Sequence, residues 1–369
     1  MIAGTRGVPA QHGGFETFTE RFALFLVEKG WSVTVFCQVE GAEEIHEDYW
    51  KGIHRLLIPI NQSGAIGTIL FDWRSTRYAA RHADIVLVLG YNTAIFSALY
   101  KLMGIPNIFN MDGVEWMRAK WKWWQKLWLY CNERVAGLAG TRLVADHPCI
   151  RDHLTHGIFG RKDIAVIPYG ADRVNEADAS CLSRLDVTPR KYALVIARPE
   201  PENQILEIVR AFSSKERGYK LVILGSFNSS NNEYHRKIIL AASNEVIFPG
   251  PIYDKAIVNA LRYYASLYIH GHTVGGTNPT LVEALGAGSP IMAHDNKYNR
   301  WVAGNSAEYF NSEDECAFML EKLMNEPDRL KKMKVLSYQR HHEAFKWETI
   351  LTDYENILID LITKRRIHE

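Results

Sequence analysis

The sequence has little of several features that define whole classes of protein. Its 369 residues include five cysteines, which are scattered, odd in number and without a CxxC pair. This pattern argues against a disulfide framework or a zinc site and fits a reducing compartment. The net charge of +1 gives no overall case for nucleic-acid binding. Because no apolar run reaches the roughly 18 residues that span a bilayer, and no signal peptide is evident, a cytoplasmic protein is expected.

What the sequence does have is enough apolar residues for a large core. Hydrophobic residues make up 47% and charged residues 23% of the chain, whose length suggests two domains. Two series of apolar runs alternate with helical patterns, which predicts two doubly wound parallel α/β sheets. The expected boundaries are 1–172 and 191–343 for the domains and 173–190 for a polar linker. A final helix is expected within 344–369.

One stretch, residues 270–290, combines the end of a predicted strand, a glycine-rich turn and a short helix that starts at Pro279. A strand, a glycine-rich loop and a helix N-terminus in this order form a cradle for an anion. Glu283 lies one turn into the helix, where a carboxylate can reach the hydroxyls of a ligand. The alternative is an ordinary strand–loop–helix connection, since a single motif of this kind is weak evidence.

A second glycine-rich loop, residues 4–17, follows the first predicted strand and carries Arg6 and His12. Gly13 and Gly14 stand at the start of an amphipathic helix, where they allow close backbone approach to a ligand. The loop is longer than the G-x-G-x-x-G fingerprint, which disfavours an NAD-dependent dehydrogenase. A long surface loop is the simpler alternative.

Other polar residues follow predicted strands. Asp112 and Glu115 come after one strand of the first half, and Arg198 follows the first strand of the second half. An arginine at a strand end can bind phosphate oxygens through two parallel hydrogen bonds. Each residue alone has a structural alternative, as a turn or cap residue or as a surface ion pair.

The segment 116–130 is rich in tryptophan, and a helix is predicted over 116–137. Arg118, Lys122 and Lys126 would share one face of that helix, with aromatic side chains on the other. Such a helix suits a membrane interface with anionic lipids. Alternatively, its tryptophans are simply core residues.

Taken together, these stretches resemble the retaining GT-B glycosyltransferases of family 4 over essentially the whole chain. Within them, the bacterial rhamnosyltransferase-like subgroup of cell-surface polysaccharide synthesis is the most similar. Residues 4–17 and 274–279 are the specific matches, supported by 112–121, 167–172 and 197–203. The resemblance implies two Rossmann-like domains that face a central cleft and a C-terminal helix that crosses back to the first. The acceptor would bind the first domain and the nucleotide-sugar donor the second.

The resemblance also implies roles for individual residues. Asp112 would lie beside the reacting centre, and Arg198 would bind the diphosphate. The donor would further contact Gly13, Gly14, Ile252, Tyr253, His272, Thr277, Asn278, Thr280 and Glu283. The acceptor or membrane side would include Arg6, His12, Glu115, Arg118, Lys122 and Lys126. No metal ion and no cofactor besides the donor is implied.

The sequence departs from the family pattern at two places. Gly275 stands where the first acid of the Glu-x7-Glu motif is expected, and Glu202 and Asn203 stand where a lysine usually follows the arginine. These losses suggest a donor with fewer hydroxyl contacts, such as a deoxysugar, or a site completed by His272 or Arg6. The expected reaction is retaining transfer, best matched by L-rhamnose from dTDP-rhamnose, to a glycan or lipid-linked acceptor. The alternatives are a transferase that uses a UDP- or GDP-sugar, an epimerase, and a non-catalytic sugar-nucleotide-binding module.

Overall fold

The computed structural model divides into two compact units. One consists of Met1–Pro168 with Glu348–Glu369, and the other is Tyr169–Trp347. The structure describes residues 1–11, 13–41, 44–118, 120–157, 161, 163–183 and 185–368.

Two sheets organise the described part of the chain. The first contains β1 (Ile2–Ala3), β2 (Thr34–Val39), β3 (His46–Trp50), β4 (Ile53–Pro59), β5 (Val86–Leu89), β6 (Asn107–Asn110), β7 (Arg142–Ala145) and β8 (Ile164–Val166). The second contains β9 (Tyr192–Ile196), β10 (Lys220–Leu224), β11 (Val246–Ile247), β12 (Leu267–His270), β13 (Ile291–His294) and β14 (Ala307–Phe310). All the strand pairs are parallel except β3 with β4, at an edge of the first sheet.

The helices that connect and cover these strands are α1 (Gly14–Glu28), α2 (Gly64–His82), α3 (Ala94–Leu102), α4 (Trp123–Ala139), α5 (Pro148–Gly157), α6 (Ile205–Ser213), α7 (Glu233–Ala241), α8 (Lys255–Tyr264), α9 (Pro279–Gly286), α10 (Lys297–Ala303), α11 (Glu313–Met324), α12 (Pro327–Ala344) and α13 (Trp347–His368). Strands buried on both faces need apolar side chains on both, which is why they appear in the sequence as continuous apolar runs.

The strand order places one switch point in each sheet. The first sheet runs β3-β4-β2-β1-β5-β6-β7-β8 and the second β11-β10-β9-β12-β13-β14. The strand order reverses between β1 and β5 in the first sheet and between β9 and β12 in the second. The loops that follow the two strands at such a point lead away from each other. In open α/β sheets, ligands bind outside the carboxyl ends of the strands at such a point.

The last helix belongs to the first unit. The buried ring of Tyr354 packs on Phe18 and Phe22, with ring centroids 4.8 and 5.5 Å away. Its hydroxyl accepts a hydrogen bond of 2.7 Å from the Asn110 side chain. This contact joins α13 to the carboxyl end of β6, because Asn110 is the last residue of that strand.

The segment predicted as a linker, 173–190, is instead packed on the second unit. The Val174 N–H donates to the Gly286 carbonyl at 2.9 Å, and the Tyr264 hydroxyl donates to the Ala177 carbonyl at 2.7 Å. Leu182 is 1% exposed within the core of that unit. The segment is weakly patterned because single apolar residues, rather than a periodic stripe, attach it to the core.

The close packing of the chain against β5 at Gly4, directly after β1, can be tested by substitution. Its φ is +82°, and a Cβ there would lie 2.1 Å from the Leu89 carbonyl oxygen. Gly30 has a similar φ of +86° with nothing within 4 Å of a Cβ, so Gly30→Ala is a matched control for backbone strain alone. We expect Gly30→Ala to cost about 1 kcal/mol of unfolding free energy and Gly4→Ala about 1–3 kcal/mol more, measured by urea denaturation. Equal losses for the two variants would contradict the close packing.

Candidate functional site

The loops after β9 and β12 meet at the switch point of the second sheet. The Thr273 N–H and hydroxyl both donate to the Glu202 carbonyl oxygen, at 2.9 and 3.0 Å. A Cβ on Gly271 would lie 2.3 Å from the Asn203 carbonyl oxygen. Because any larger residue would push the two loops apart, Gly271 fixes the distance between them. The two loops thus form one surface at the carboxyl end of the sheet.

Arg198 lies on this surface. Its carbonyl oxygen accepts hydrogen bonds from the Asn203 side chain at 2.8 Å and from the Glu200 N–H at 2.7 Å. Its side chain is exposed and forms no ion pair within the described part of the chain. The buried Asn203, which stands where the family pattern has a lysine, therefore shapes the loop rather than adding a charge. The exposed Arg198 guanidinium is available to an anionic ligand.

The N-terminus of α9 differs in one respect from the predicted anion cradle. Asn278 caps the helix, and its side-chain oxygen accepts hydrogen bonds from the Thr280 N–H at 3.1 Å and the Thr280 hydroxyl at 2.9 Å. The Leu281 N–H bonds to the Asn278 carbonyl at 3.1 Å, and Pro279 has no N–H to offer. The first-turn amides are therefore not free, so the helix itself contributes its dipole rather than direct hydrogen bonds.

Glu283 lies on α9 and pairs with a buried cation that the sequence did not indicate. The Arg262 guanidinium, on α8, donates to the Glu283 carboxylate. The side chain of Arg262 is 6% exposed and that of Glu283 is 32% exposed. The pair fixes the orientation of the carboxylate and leaves part of it accessible, as a residue that binds ligand hydroxyls requires.

His270, the last residue of β12, and His272 lie on the same face, because alternate residues of a strand share a face. The rings of His270 and His272 stack with centroids 4.2 Å apart and planes 6° from parallel. Burial, together with the imidazoles of His272 and His294, holds the pKa of His270 well below its ordinary value, so this ring is neutral. Neither ring nitrogen of His270 has a hydrogen-bond partner among the described residues. His272 lies above it, half-buried and next to the loop.

The rest of the loop explains why an acid is absent from it. Gly275 has a φ of +138°, a conformation that residues with a side chain rarely adopt. Thr277 is buried at 4% exposure. Ile252 and Tyr253 precede α8, the helix of Arg262; Ile252 packs on the core and Tyr253 is largely exposed. The structure thus brings Arg198, His272, Thr277, Asn278, Thr280 and Glu283 onto the two adjoining loops and α9.

The predicted residues of the first unit lie at the carboxyl edge of its own sheet. Gly13 caps α1 with a φ of +101° and Gly14 is the first helical residue, with no described side chain capping the helix. Arg6 is exposed in the loop after β1. Asp112 follows β6 with a φ of +48°, and its N–H donates to the Asn110 side chain at 2.9 Å. His12 lies outside the described residues.

The prediction of one helix over 116–137 was wrong. A 3-10 turn covers Glu115–Met117, and α4 begins only at Trp123, after its cap Lys122. Arg118 therefore shares no helix face with Lys122 and Lys126. It pairs instead with Glu115, at 2.8 Å between Nε and Oε1. A contact of Glu115 or Arg118 with the acceptor or the membrane stays a prediction.

The tryptophans divide between interior and surface. The Trp116 indole N–H donates to the Glu133 carboxylate at 3.1 Å, and Glu133 is a buried acid that sequence analysis missed. Trp123 and Trp124, by contrast, are 77% and 54% exposed. With Leu127 and Trp128 they form one exposed face of α4, which we call the aromatic patch. The half-buried Trp116 agrees in part with the core alternative, and the membrane alternative stays a prediction.

Two further properties of the described residues bear on function. No group of three or more histidine, cysteine, aspartate or glutamate side chains in the described ranges could hold a metal ion. Within the same ranges, none of the helices is long and apolar enough to cross a membrane.

Comparison with solved structures identifies the fold of the chain. Sucrose-phosphate synthase from Thermosynechococcus elongatus superposes with a TM-score of 0.80 at 14% identity, over 98% of both chains. HepE from Anabaena, in complex with UDP and glucose, superposes with a TM-score of 0.76 at 14% identity, over 97% of this chain and 99% of the other. The chain has the GT-B glycosyltransferase fold, and the predicted fold class is confirmed.

Sequence comparisons match two regions of the chain to known families. Residues 184–340 match the family described as glycosyl transferases group 1, and residues 1–172 match a domain of unknown function, DUF1972. The chain thus contains one region similar to the glycosyl transferases group 1 family and one region similar to DUF1972. The alpha-monoglucosyldiacylglycerol synthase of Streptococcus pneumoniae is 30% identical over 145 residues, 37% of this chain. The match spans about a third of that relative, at 32% of its length.

We expect the Arg262–Glu283 pair to contribute to the stability of the second unit. Glu283→Gln removes the counter-charge of a buried guanidinium, so we expect unfolding free energy to fall by about 1–3 kcal/mol. The matched control is Glu313→Gln, which breaks the exposed Arg210–Glu313 pair of 4.0 Å and should cost about 0–1 kcal/mol. Urea denaturation measures both. If the two variants lose the same stability, the guanidinium does not depend on Glu283.

Proposed function

We infer that this glycosyltransferase moves a sugar from a nucleotide-sugar donor bound at the switch point of the second unit. The observation that carries the inference is the placement of Glu283. Its carboxylate is fixed by the buried Arg262, stays partly exposed, and lies one turn into the helix that follows the glycine-rich loop. An acid held this way can accept hydrogen bonds from donor hydroxyls at a fixed position.

The same surface suits the leaving diphosphate. Glycosyl transfer develops negative charge on that group and an oxocarbenium-like sugar. The unpaired Arg198 side chain and the positive end of the α9 dipole supply positive potential, without a cluster of metal ligands in the described ranges. Burial lowers the pKa of His270, so this ring adds no cation. Charge stabilisation at the diphosphate would therefore rest mainly on Arg198.

The donor sugar has two candidates. The resemblance of residues 4–17 and 274–279 to rhamnosyltransferases favours dTDP-rhamnose and retention of configuration. The names of the relatives favour glucosyl transfer from a UDP-sugar: one is a monoglucosyldiacylglycerol synthase, and HepE holds UDP and glucose. Position 275 is a glycine with a φ that disfavours any side chain. No side-chain contact at this position therefore distinguishes the two donors.

The acceptor would be a glycan or lipid-linked sugar at the cytoplasmic membrane face. The aromatic patch supports membrane docking, because exposed tryptophans partition to the lipid interface. Lys120 and Lys122 are exposed beside it and suit anionic headgroups. Arg118, in contrast, is occupied by Glu115.

The donor is tested by measuring nucleoside-diphosphate release with dTDP-rhamnose, UDP-glucose and GDP-sugars in the presence of glycolipid acceptors. We expect Arg198→Ala to lower kcat/KM with the best donor by about 10²–10³, since it removes one preorganised cation from the leaving group. Arg210→Ala, a change of an exposed arginine on α6, is the matched control and should leave kcat/KM unchanged. Proton NMR of the product's anomeric signal reports retention. Nucleotide binding without transfer from any donor would instead favour a non-catalytic module.

Membrane docking is tested by co-sedimentation with liposomes. Lys120→Glu with Lys122→Glu should reduce binding to vesicles that contain phosphatidylglycerol by about tenfold or more, at roughly 1 kcal/mol per basic residue. Trp123→Ser with Trp124→Ser should reduce binding to neutral vesicles as well. Lys29→Glu with Lys51→Glu changes the net charge equally at exposed positions elsewhere in the unit. Equal sedimentation of the two lysine pairs would rule out the aromatic patch as the docking surface.

A further inference from the structure

Two arginines, a lysine and two tyrosines lie close together within the second unit, away from the candidate donor site. They are Arg173, Arg190, Lys334, Tyr263 and Tyr338, and we call them the basic cluster. Arg190 lies two residues before β9, and Tyr263 lies near the end of α8, just before β12. Because β9 and β12 are parallel, their starts share the amino edge of the sheet. The loops assigned to the donor lie at the opposite, carboxyl edge.

The ring of Tyr338 is held in place by its neighbours. Its hydroxyl donates to the Val174 carbonyl at 2.7 Å. Gly288 has a φ of +63°, and a Cβ there would lie 2.3 Å from the ring, so the ring occupies space that a glycine leaves open. The Cζ atom of Arg173 is 4.9 Å from the ring centroid, and the Nζ atom of Lys334 is 5.9 Å from it. One fixed ring therefore has two cations beside it.

Lys334 also contacts the second ring of the cluster. Its Nζ atom lies 4.3 Å from the centroid of Tyr263. Burial, together with the charge of Arg190, lowers the pKa of Lys334. Burial raises the pKa of Tyr338, while the charges of Arg173 and Arg190 oppose that rise. Arg190 thus acts on both Lys334 and Tyr338. An aromatic face attracts a cation but carries no net charge, so the rings do not neutralise the cluster.

The three cations form no ion pair with a carboxylate in the described part of the chain. Two acids of α12 have other partners: Asp328 pairs with Lys331 at 2.9 Å, and Glu343 lies 3.8 Å from Arg340. Asp172 precedes Arg173 in the chain, but one carboxylate offsets at most one of the three charges. The basic cluster therefore keeps a net positive charge.

This surplus of charge indicates which ligand fits. A carboxylate would compensate one cation, whereas a phosphate group carries about two negative charges and three acceptor oxygens. Guanidinium groups bind phosphate oxygens through two parallel hydrogen bonds, and both arginines are exposed. A nearby anion would also favour the charged form of Lys334, which the unliganded surroundings disfavour.

We propose that the basic cluster binds a phosphate or diphosphate group, which belongs either to a soluble molecule or to a lipid headgroup. Arg173, Arg190 and Lys334 contact its oxygen atoms, and the two tyrosine rings hold the cations around it. The site lies at the amino edge of the sheet, so its occupation requires neither a bound donor nor transfer of a sugar.

Isothermal titration calorimetry of the full chain with pyrophosphate tests the proposal. The starting variant is Arg198→Ala, because Arg198 at the candidate donor site would also attract this probe. In that background we expect saturable binding, and an affinity about tenfold or more weaker in Lys334→Gln and in Arg190→Gln, since each removes a charge-assisted hydrogen bond. Lys334→Arg keeps the charge and should retain most of the affinity.

The matched control is Lys331→Gln, on the same helix. Lys331 has a side chain that is 78% exposed and paired with Asp328, so its loss should leave the affinity for pyrophosphate unchanged. Thermal unfolding without pyrophosphate should be similar in all these variants, because the replaced side chains are exposed or only half-buried. A loss of binding then reports the site rather than unfolding.

Co-sedimentation with vesicles that contain phosphatidylglycerol separates the two sources of the phosphate. The starting chain carries Lys120→Glu and Lys122→Glu, which remove the basic residues beside the aromatic patch. If Lys334→Gln with Arg190→Gln lowers the remaining sedimentation, the phosphate belongs to a lipid headgroup. If sedimentation is unchanged while the affinity for pyrophosphate falls, it belongs to a soluble molecule.

Two results would overturn the proposal. One is the absence of saturable pyrophosphate binding in the Arg198→Ala chain. The other is an affinity that stays the same in both Lys334→Gln and Arg190→Gln. A failed donor screen with intact pyrophosphate binding would instead count against the proposed reaction and leave the basic cluster as a phosphate site.

Discussion

The candidate donor site depends on the contact between the loop after β9 and the loop after β12. Two hydrogen bonds from Thr273 to one carbonyl, and the absence of a Cβ at Gly271, hold these loops together. The contact sets Arg198 beside the loop that leads into α9. Without it, the cation and the acid would belong to separate surfaces, since β9 and β12 are far apart in sequence and adjacent only in the sheet.

The two units use the same rule in different ways. Each sheet has one switch point, where loops from neighbouring strands turn apart and leave space at the carboxyl edge. In the second unit this space is bordered by a helix N-terminus, an arginine and an acid oriented by an ion pair. In the first it is a cavity lined by hydroxyls around Asp72. In the second unit, the exposed Arg198 side chain favours an anionic ligand.

The sequence predicted what depends on local pattern. Apolar runs predicted the parallel strands, and Pro279 predicted the start of α9. It missed what depends on distant residues. Arg262 meets Glu283 only because α8 and α9 pack side by side, and Asp72 faces a cavity that exists only between packed elements. The edge strand β3 was also missed, since its residues are mostly exposed and its pairing is decided by β4.

The Trp-rich segment shows the limit of periodicity. Spacing placed Arg118 in a helix with Lys122 and Lys126, but the chain forms a 3-10 turn at Glu115–Met117 and α4 begins only at Trp123. Glu133, buried on α4, accepts the N–H of Trp116 and so ties this half-buried indole to the helix. Neither ion pairing nor burial of an acid can be read from a helical wheel.

We propose that a nucleoside diphosphate binds the second unit at the loops after β9 and β12. Hydrogen–deuterium exchange with mass spectrometry, with and without saturating UDP, dTDP or GDP, tests it most directly. We expect slower amide exchange in peptides that cover 198–204 and 271–283 with at least one of these nucleotides. Amide exchange in β7 and α5 of the first unit should not change. Protection confined to the first unit, or no protection with any of the three nucleotides, would contradict it.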